Sequence, residues 1–405
     1  METRPGEVNS CNSVRGYIAE LDGLRGIAIL LVMLHHFWPT SGLLATYSSV
    51  GHLGWIGVDL FFVISGFFIT GILLDTIEDR GYYRNFYARR SLRIFPLYYL
   101  FLIAIFVIPW LLPGGRHFEQ VIRAQSGPAA WYFAYLGNFR EAIVGKEPAY
   151  FLAPLWSLSI EEHFYLAFPF IVQKLSRERL KQLLWSLIFI APVIRLVMMF
   201  VAPSNERIQY LATPCRVDVI AMGCLLALTL RQRTSTPNCD KVGRIALAMI
   251  AVCAAAFLLG GLDRTKSFCR VAGYSLVDVT FALIVLWAIL GRGRTSVRWL
   301  RSRPLIGIGK MCYGTYLLQR PAEVVYLKIA HYVHLPADGS AMALAGKMVF
   351  AVAIAALSWH LFERQCLRLK KYFNSARHPS DMSEKESVPV HETAVTVPSP
   401  ARVSA

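Results

Sequence analysis

Long apolar stretches alternate with short polar connections along most of the chain. Ten such stretches begin near Leu24, Trp55, Ile94, Phe151, Leu183, Leu211, Ile245, Val271, Leu305 and Ala341. Each approaches the roughly 20 residues that an α-helix needs to cross a hydrocarbon layer of about 30 Å. The pattern therefore predicts an all-α polytopic membrane protein with about ten transmembrane helices.

Polar segments flank this apolar region. Residues 1–19 lack the apolar core and cleavage site of a signal peptide, so we expect the first helix to be retained. Residues 1–16 are expected to form a cytoplasmic N-terminal segment. Residues 17–371 form a single predicted transmembrane domain. Residues 372–405 are rich in Ser, Pro, Thr and Glu without apolar periodicity, which is typical of a disordered cytoplasmic tail.

The charge of the connections predicts the orientation of the chain. Connections after the second, fourth, sixth, eighth and tenth stretches hold 22 Lys and Arg residues, and the other connections hold 8. Lys and Arg concentrate on the cytoplasmic side of membrane proteins, so both termini are expected in the cytoplasm. The expected location of the protein is the inner membrane. The net charge of +16 then reflects orientation and contact with anionic lipid, which argues against nucleic-acid binding.

The composition agrees with this fold class and narrows the chemistry. Hydrophobic residues make up 55% of the 405 residues, more than a soluble core of this size requires. The eight cysteines are scattered without a C-x-x-C pair, which predicts neither a disulfide framework nor a metal site.

The first apolar stretch contains an arginine and two histidines, which are costly inside a membrane. Arg25 and His36 are eleven residues apart, so on a helix both project from one face about 16 Å apart along the axis. His35 points elsewhere. This pattern indicates a functional role for Arg25 and His36.

A carboxylate on the fourth stretch has a predicted depth close to that of His36. With the N-terminus inside, His36 lies in the outer half of the bilayer and Glu161 about 15 Å below the outer boundary. An imidazole can take a proton from a hydroxyl, and a nearby carboxylate can orient the ring, so the pair is a candidate for acyl transfer. The equally weighted alternative is a hydrogen bond that only joins two helices.

Two arginines before the third stretch are candidates for phosphate binding. Arg90 and Arg93 share a face if their segment is helical, and guanidinium groups can bind phosphates through two hydrogen bonds. The alternative is a cytoplasmic anchor of the membrane helix. Other polar groups are weaker candidates for acceptor binding or cavity structure: Asp59, Ser65, Arg216, Asp218 and Tyr313.

Six motifs occur in one order along residues 17–364. They are Leu21-Asp22-Gly23-Leu24-Arg25-Gly26 with His36; Gly57-Val58-Asp59-Leu60-Phe61-Phe62 leading to Ser65-Gly66; Arg90-Ser91-Leu92-Arg93 leading to Pro96; Leu155-Trp156-Ser157-Leu158-Ser159-Ile160-Glu161-Glu162; Arg216 and Asp218 ahead of Gly223; and Tyr313 and Tyr316 with the later Glu363-Arg364. In this combination the chain resembles the membrane-bound acyltransferase family 3, whose members include O-acyltransferases of polysaccharides, Nod factors and macrolides.

The resemblance implies a ten-helix enzyme that transfers an acyl group, most simply acetyl, from cytoplasmic acyl-CoA to a hydroxyl at or beyond the outer face. It implies required roles for Arg25, His36, Arg90, Arg93 and Glu161. The chain departs from the family pattern at two positions. Gln319 stands where a histidine is common, and Gln365 where a proline is common. The first departure removes an acid–base group from that position.

Taken with the resemblance, the residues predict a donor site with Arg25, Arg90 and Arg93, and catalysis by His36 and Glu161. Acyl-CoA is expected as co-substrate, without a bound cofactor, and the acceptor is expected to be a carbohydrate, a glycolipid or a small molecule. A secondary transporter is the main alternative, because buried charges also mark substrate pathways. The chain lacks the paired halves common in transporters, and it lacks the spaced histidine pairs of a haem-linked electron carrier.

Overall fold

The chain folds into a bundle of α-helices. The computed structural model describes residues 16–113, 115–232, 237–336 and 338–373, and these residues contain no β-strand. Ten helices of at least sixteen residues occur in this described part: α1 Ala19–Phe37, α2 Ile56–Asp75, α3 Tyr82–Phe106, α4 Leu155–Lys174, α5 Arg177–Val201, α6 Val217–Gln232, α7 Cys239–Leu258, α8 Tyr274–Leu290, α9 Cys312–Tyr332 and α10 Ala341–Ser358. The predicted all-α class is confirmed for the described residues.

Shorter helices connect the ten long ones. They are Gly42–Ala45, Ser48–Leu53, Ile108–Leu111, Gly115–Ser126, Ala130–Phe133, Gly137–Val144, Ile208–Leu211, Arg303–Lys310 and Arg364–Arg368, with 3₁₀ turns at Thr213–Cys215, Thr295–Arg301 and Leu369–Phe373 and π-helical turns at Cys269–Gly273 and Trp359–Glu363. The predicted terminal segments 1–16 and 372–405 lie outside the described residues, apart from residues 16, 372 and 373.

Several helix boundaries differ from the sequence prediction. The fourth helix begins at Leu155 instead of Phe151, directly after Pro154. The third helix begins twelve residues before the predicted Ile94, at Tyr82, so Arg90 and Arg93 lie on a regular helix. A charged segment can continue a helix beyond the apolar layer, which hydropathy alone does not detect.

Five helical stretches of the described chain are both long and apolar enough to cross a membrane. They are Ser48–Asp75, Arg177–Val201, Cys239–Leu258, Cys269–Leu290 and Ala341–Phe373. Helices α1, α3, α4 and α9 carry several charged side chains each, and α6 is only 16 residues long. The chain therefore has the helices of a multi-pass membrane protein, while the count of ten spans and the side of the termini stay predictions.

The basic connections gather at one end of the bundle, which we call the basic end. Arg292 there donates to the carbonyl of Tyr17 at 2.8 Å, and Arg231 pairs with Asp75 at 2.9 Å. Residues of the other connections meet at the opposite end. There Thr40 donates to Asp338 at 3.1 Å, and Asn205 donates to the carbonyl of Ala142 at 2.6 Å. The alternation of charge along the sequence thus corresponds to two ends of the folded bundle.

Glycines allow close contact between helices α2 and α6. A Cβ atom at Gly66 would overlap the carbonyl oxygen of Ile220, and one at Gly223 would overlap the carbonyl oxygen of Val63. Two backbones can approach this closely only where side chains are absent. The contact holds Asp59 and Ser65 of α2 in fixed positions relative to α6.

We predict that Gly66→Ala lowers the stability of the bundle by about 1–3 kcal/mol, because the added methyl group forces α2 and α6 apart. The thermal unfolding midpoint of the detergent-purified protein, followed by tryptophan fluorescence, measures the effect. Gly307→Ala is the matched control, since a Cβ at this helical glycine meets no atom within 4 Å. Equal midpoints for the two variants would contradict the packing argument.

Candidate functional site

Residues from five helices enclose a cavity of about 640 Å³, counting the space at its mouth. We call it the arginine cavity. Six residues predicted from the sequence line it: Arg25 on α1, Ser65 on α2, Arg90 and Arg93 on α3, Glu161 on α4 and Tyr313 on α9. The bundle thus brings together side chains that are almost 290 positions apart in the chain.

Aromatic rings hold two of the cavity arginines. The guanidinium carbon of Arg90 lies 5.4 Å from the ring centre of Tyr165, and that of Arg25 lies 4.7 Å from the ring centre of Phe68. Arg25 also pairs with Asp22 at 3.2 Å. Cation–π contacts orient a guanidinium group while leaving its N–H donors free for a ligand.

The arginine cavity continues into a vestibule of about 900 Å³ that is lined by Tyr17 and Lys310 of the basic end. Four residues line both spaces: Arg25, Arg90, Arg93 and Tyr313. The Tyr313 hydroxyl donates to the carbonyl of Ile94 at 2.7 Å, which joins α9 to α3 beside the arginines. An anionic ligand that enters from the basic end therefore meets three guanidinium groups.

Glu161 lies among these arginines. Its carboxylate accepts a hydrogen bond from the Ser65 hydroxyl at 2.6 Å. Glu161 is the only acidic residue that lines the cavity in the described part of the chain, so the lining keeps a formal excess of two positive charges. Such an excess favours a ligand with more than one negative charge.

His36 lies apart from Glu161. It occupies the last turn of α1, where Arg320 donates to its carbonyl oxygen at 3.2 Å, and it does not line the arginine cavity. No hydrogen bond joins His36 to Glu161 in the described residues. The sequence placed His36 and Glu161 at similar depths in the membrane, so that their side chains could meet. In the structure His36 is one residue before the end of α1, whereas Glu161 is six residues after the start of α4.

Asp59, Arg216 and Asp218 form a separate, fully buried cluster. Asp59 pairs with Arg216, and Asp218 pairs with Arg195 of α5 at 2.9 Å, with all four side chains inaccessible to solvent. Burying a charge is costly unless it is paired, so these pairs depend on each other. They connect α2, α5 and α6 and do not line the arginine cavity.

A family model described as an acyltransferase domain matches residues 18–360. The chain belongs to this acyltransferase family. It is 27% identical to YrhL of Bacillus subtilis (strain 168), provisionally named a peptidoglycan O-acetyltransferase, over 368 residues covering 86% of the chain and 54% of YrhL. It is 29% identical to the O-acetyltransferase OatA of Staphylococcus aureus (strain NCTC 8325 / PS 47), over 76% of the chain and 51% of OatA. The chain spans about half the length of these curated relatives, and no solved structure matches it.

Sequence reasoning missed several residues of this family member. Tyr165 follows Glu161 by four positions, one helical turn, and both line the arginine cavity. Arg195 interrupts an apolar helix, the same signal that identified Arg25. Tyr316, which the sequence showed only as a motif residue without a role, also lines the cavity, and its hydroxyl lies 2.5 Å from that of Ser157. Helical spacing from Glu161 and the cost of an intramembrane arginine were sufficient to find the first two.

In this family member, breaking the Asp59–Arg216 pair is predicted to cost about 3–5 kcal/mol, because it removes the paired carboxylate from the buried Arg216 guanidinium. Asp59→Asn should therefore lower the thermal unfolding midpoint strongly. The double variant Asp59→Leu/Arg216→Met should recover most of the loss, since it removes both charges.

Asp240→Asn is the control, because the Arg294–Asp240 pair is largely exposed and such pairs contribute at most about 1 kcal/mol. Equal effects of Asp59→Asn and Asp240→Asn, or a double variant less stable than the Asp59 single variant, would show that the buried pair is not coupled.

Proposed function

We propose that the chain is an integral inner-membrane O-acyltransferase that moves an acyl group, most simply acetyl, from cytoplasmic acyl-CoA to a hydroxyl of a carbohydrate or similar acceptor at the outer face. The observation that carries this proposal is the arginine cavity, with Arg25, Arg90 and Arg93 facing a vestibule at the basic end. Membership of an acyltransferase family and the O-acetyltransferase names of two relatives support it.

The charge of the cavity fits the donor. Coenzyme A carries several phosphate groups, and guanidinium groups bind phosphate oxygens through paired, charge-assisted hydrogen bonds. Of the described residues, none forms an ion pair with Arg90 or Arg93, so their donors are available to a ligand. In this arrangement the phosphates lie in the vestibule, and the thioester points into the bundle.

His36 is the proposed catalytic residue beyond the donor site. On α1 it lies about 16 Å further along the helix axis than Arg25, in the direction away from the basic end. It acts in one of two ways. It takes the proton of the acceptor hydroxyl while that oxygen attacks the thioester carbonyl and the CoA thiolate leaves, or it first accepts the acyl group and then passes it on.

Glu161 takes a different role from that expected at first. Because it accepts a hydrogen bond from Ser65 inside the arginine cavity, we assign it to the donor site instead of to His36. A carboxylate among three guanidinium groups reduces their mutual repulsion and fixes their positions before the donor binds. Glu161 is thus a positioning residue for the donor arginines.

We predict that His36→Ala abolishes transfer of [14C]acetyl from acetyl-CoA to base-labile products in membrane vesicles, while the amount of protein in the membrane is unchanged. The loss follows from removal of the only imidazole assigned to the reaction. His163→Gln is the matched control, since His163 lies on α4 against Thr213 and Phe139, away from the arginine cavity. Normal transfer by His36→Ala would rule out its catalytic role.

We also predict that Arg93→Ala raises the KM for acetyl-CoA by roughly 10- to 150-fold, because a hydrogen bond to a charged group contributes about 1.5–3 kcal/mol. The exposed Arg89 lies on the same helix outside the cavity, so Arg89→Ala should leave KM unchanged. A secondary transporter would instead accumulate label in vesicles without acylated product, and that result would favour the alternative function.

A further inference from the structure

A second cavity of about 1250 Å³, counting its mouth, opens at the end of the bundle opposite the basic end. Its wall contains three aromatic rings in mutual contact: Trp55 and Tyr274 lie 5.3 Å apart, and Tyr210 lies 5.7 Å from Tyr274 and 6.2 Å from Trp55. We call it the aromatic cavity. The guanidinium carbon of Arg216 lies 4.7 Å from the Tyr274 ring centre, so the buried Asp59–Arg216 pair supports this wall from behind.

Polar groups of both signs line the rest of the aromatic cavity. Arg207 and Arg264 line it together with the carboxylates of Glu147, Glu206 and Asp263, and Arg207 forms an ion pair with Glu147. The backbone N–H of Thr265 lowers the pKa of Asp263, so this exposed carboxylate is ionised at neutral pH. This mixture of basic and acidic side chains differs from the lining of the arginine cavity, where basic groups outnumber acidic groups by two. The two cavities are therefore suited to different ligands.

An aromatic side chain links the walls of the two cavities. Trp156 contacts Phe62 of the arginine cavity, with ring centres 6.2 Å apart, and Tyr210 of the aromatic cavity, with ring centres 4.5 Å apart.

Histidine rings also lead from the aromatic cavity to the proposed catalytic residue. His52 lines the cavity, its ring centre lies 5.9 Å from that of His35, and the His35 ring lies 5.4 Å from that of His36. His36 is thus two ring contacts from the aromatic cavity. The cavity lies close both to the donor site and to the group assigned to act on the acceptor.

We propose that the aromatic cavity is the acceptor site and that it binds a sugar ring of the acceptor. The apolar face of a sugar packs against an aromatic ring, here the half-buried Tyr210, with Trp55 and Tyr274 buried behind it. Sugar hydroxyl groups both donate and accept hydrogen bonds, so they match a lining that contains guanidinium and carboxylate groups. A polyphosphate ligand would instead need the excess of basic groups found in the arginine cavity. This assignment rests on the proposed function; it adds the place of the acceptor and narrows its class to a sugar.

Filling the aromatic cavity tests the assignment without altering its buried wall. Ser49→Trp and Thr265→Trp each place an indole at an exposed position that lines the cavity. Val50→Trp is the matched control, because Val50 is exposed on the same short helix as Ser49 and does not line the cavity. Transfer of label is measured by adding [14C]acetyl-CoA to inverted membrane vesicles from the host cell, which hold the native acceptor. Binding of CoA is measured separately, as the change in thermal unfolding midpoint that CoA causes in each purified variant.

We expect both cavity-filling variants to transfer at least tenfold less label than the wild type, with an unchanged CoA-induced thermal shift, and Val50→Trp to behave as the wild type. The label transferred by the wild type should be released by mild base and recovered on saccharide. The acceptor assignment would be overturned if both filled variants transferred as much label as the wild type, or if they lost the CoA-induced thermal shift. Label recovered on protein or on sugar-free lipid would also overturn it. Absence of transfer by the wild type itself would instead contradict the proposed function.

Discussion

Charged side chains inside an apolar bundle must be paired or must face an open cavity, and this constraint organises the molecule. Asp59 with Arg216, and Asp218 with Arg195, satisfy it by pairing, and all four are inaccessible to solvent. Arg90 and Arg93 satisfy it by facing the arginine cavity and its vestibule. The first group therefore fixes the helices, and the second remains available to a ligand.

The two kinds of charge are coupled through helix α2. Asp59 anchors this helix to α6, Gly66 allows the close contact between them, and Ser65 on the same helix donates to Glu161 of the arginine cavity. A change in the buried Asp59–Arg216 pair would thus alter the arginine cavity, because helix α2 carries both Asp59 and Ser65. Since Arg216 also lies behind Tyr274, the same pair supports the wall of the aromatic cavity.

The sequence predicted the helices, and it singled out side chains that the fold brings into one cavity, because both depend on local signals. Apolar length revealed ten helical stretches, the cost of intramembrane charge identified Arg25, and three-residue helical spacing identified Arg90 and Arg93. The fold places these three arginines in one cavity. The partner of Glu161 was not predictable in this way. The partner of Glu161 depends on where α1 and α4 begin relative to each other along the membrane normal. The helix starts inferred from hydropathy placed Glu161 near His36, whereas in the structure Ser65 donates to Glu161. The aromatic cavity combines residues from several connections, and no single stretch of sequence displays it.

A structure of the protein with bound CoA tests the central claim most directly, namely that the arginine cavity and its vestibule hold the acyl donor. The claim predicts phosphate oxygens within about 3 Å of the guanidinium nitrogens of Arg90 and Arg93, with the thiol directed into the bundle towards Glu161. Phosphates bound instead to the exposed arginines of Thr295–Arg301, or at the opposite end of the bundle, would contradict it.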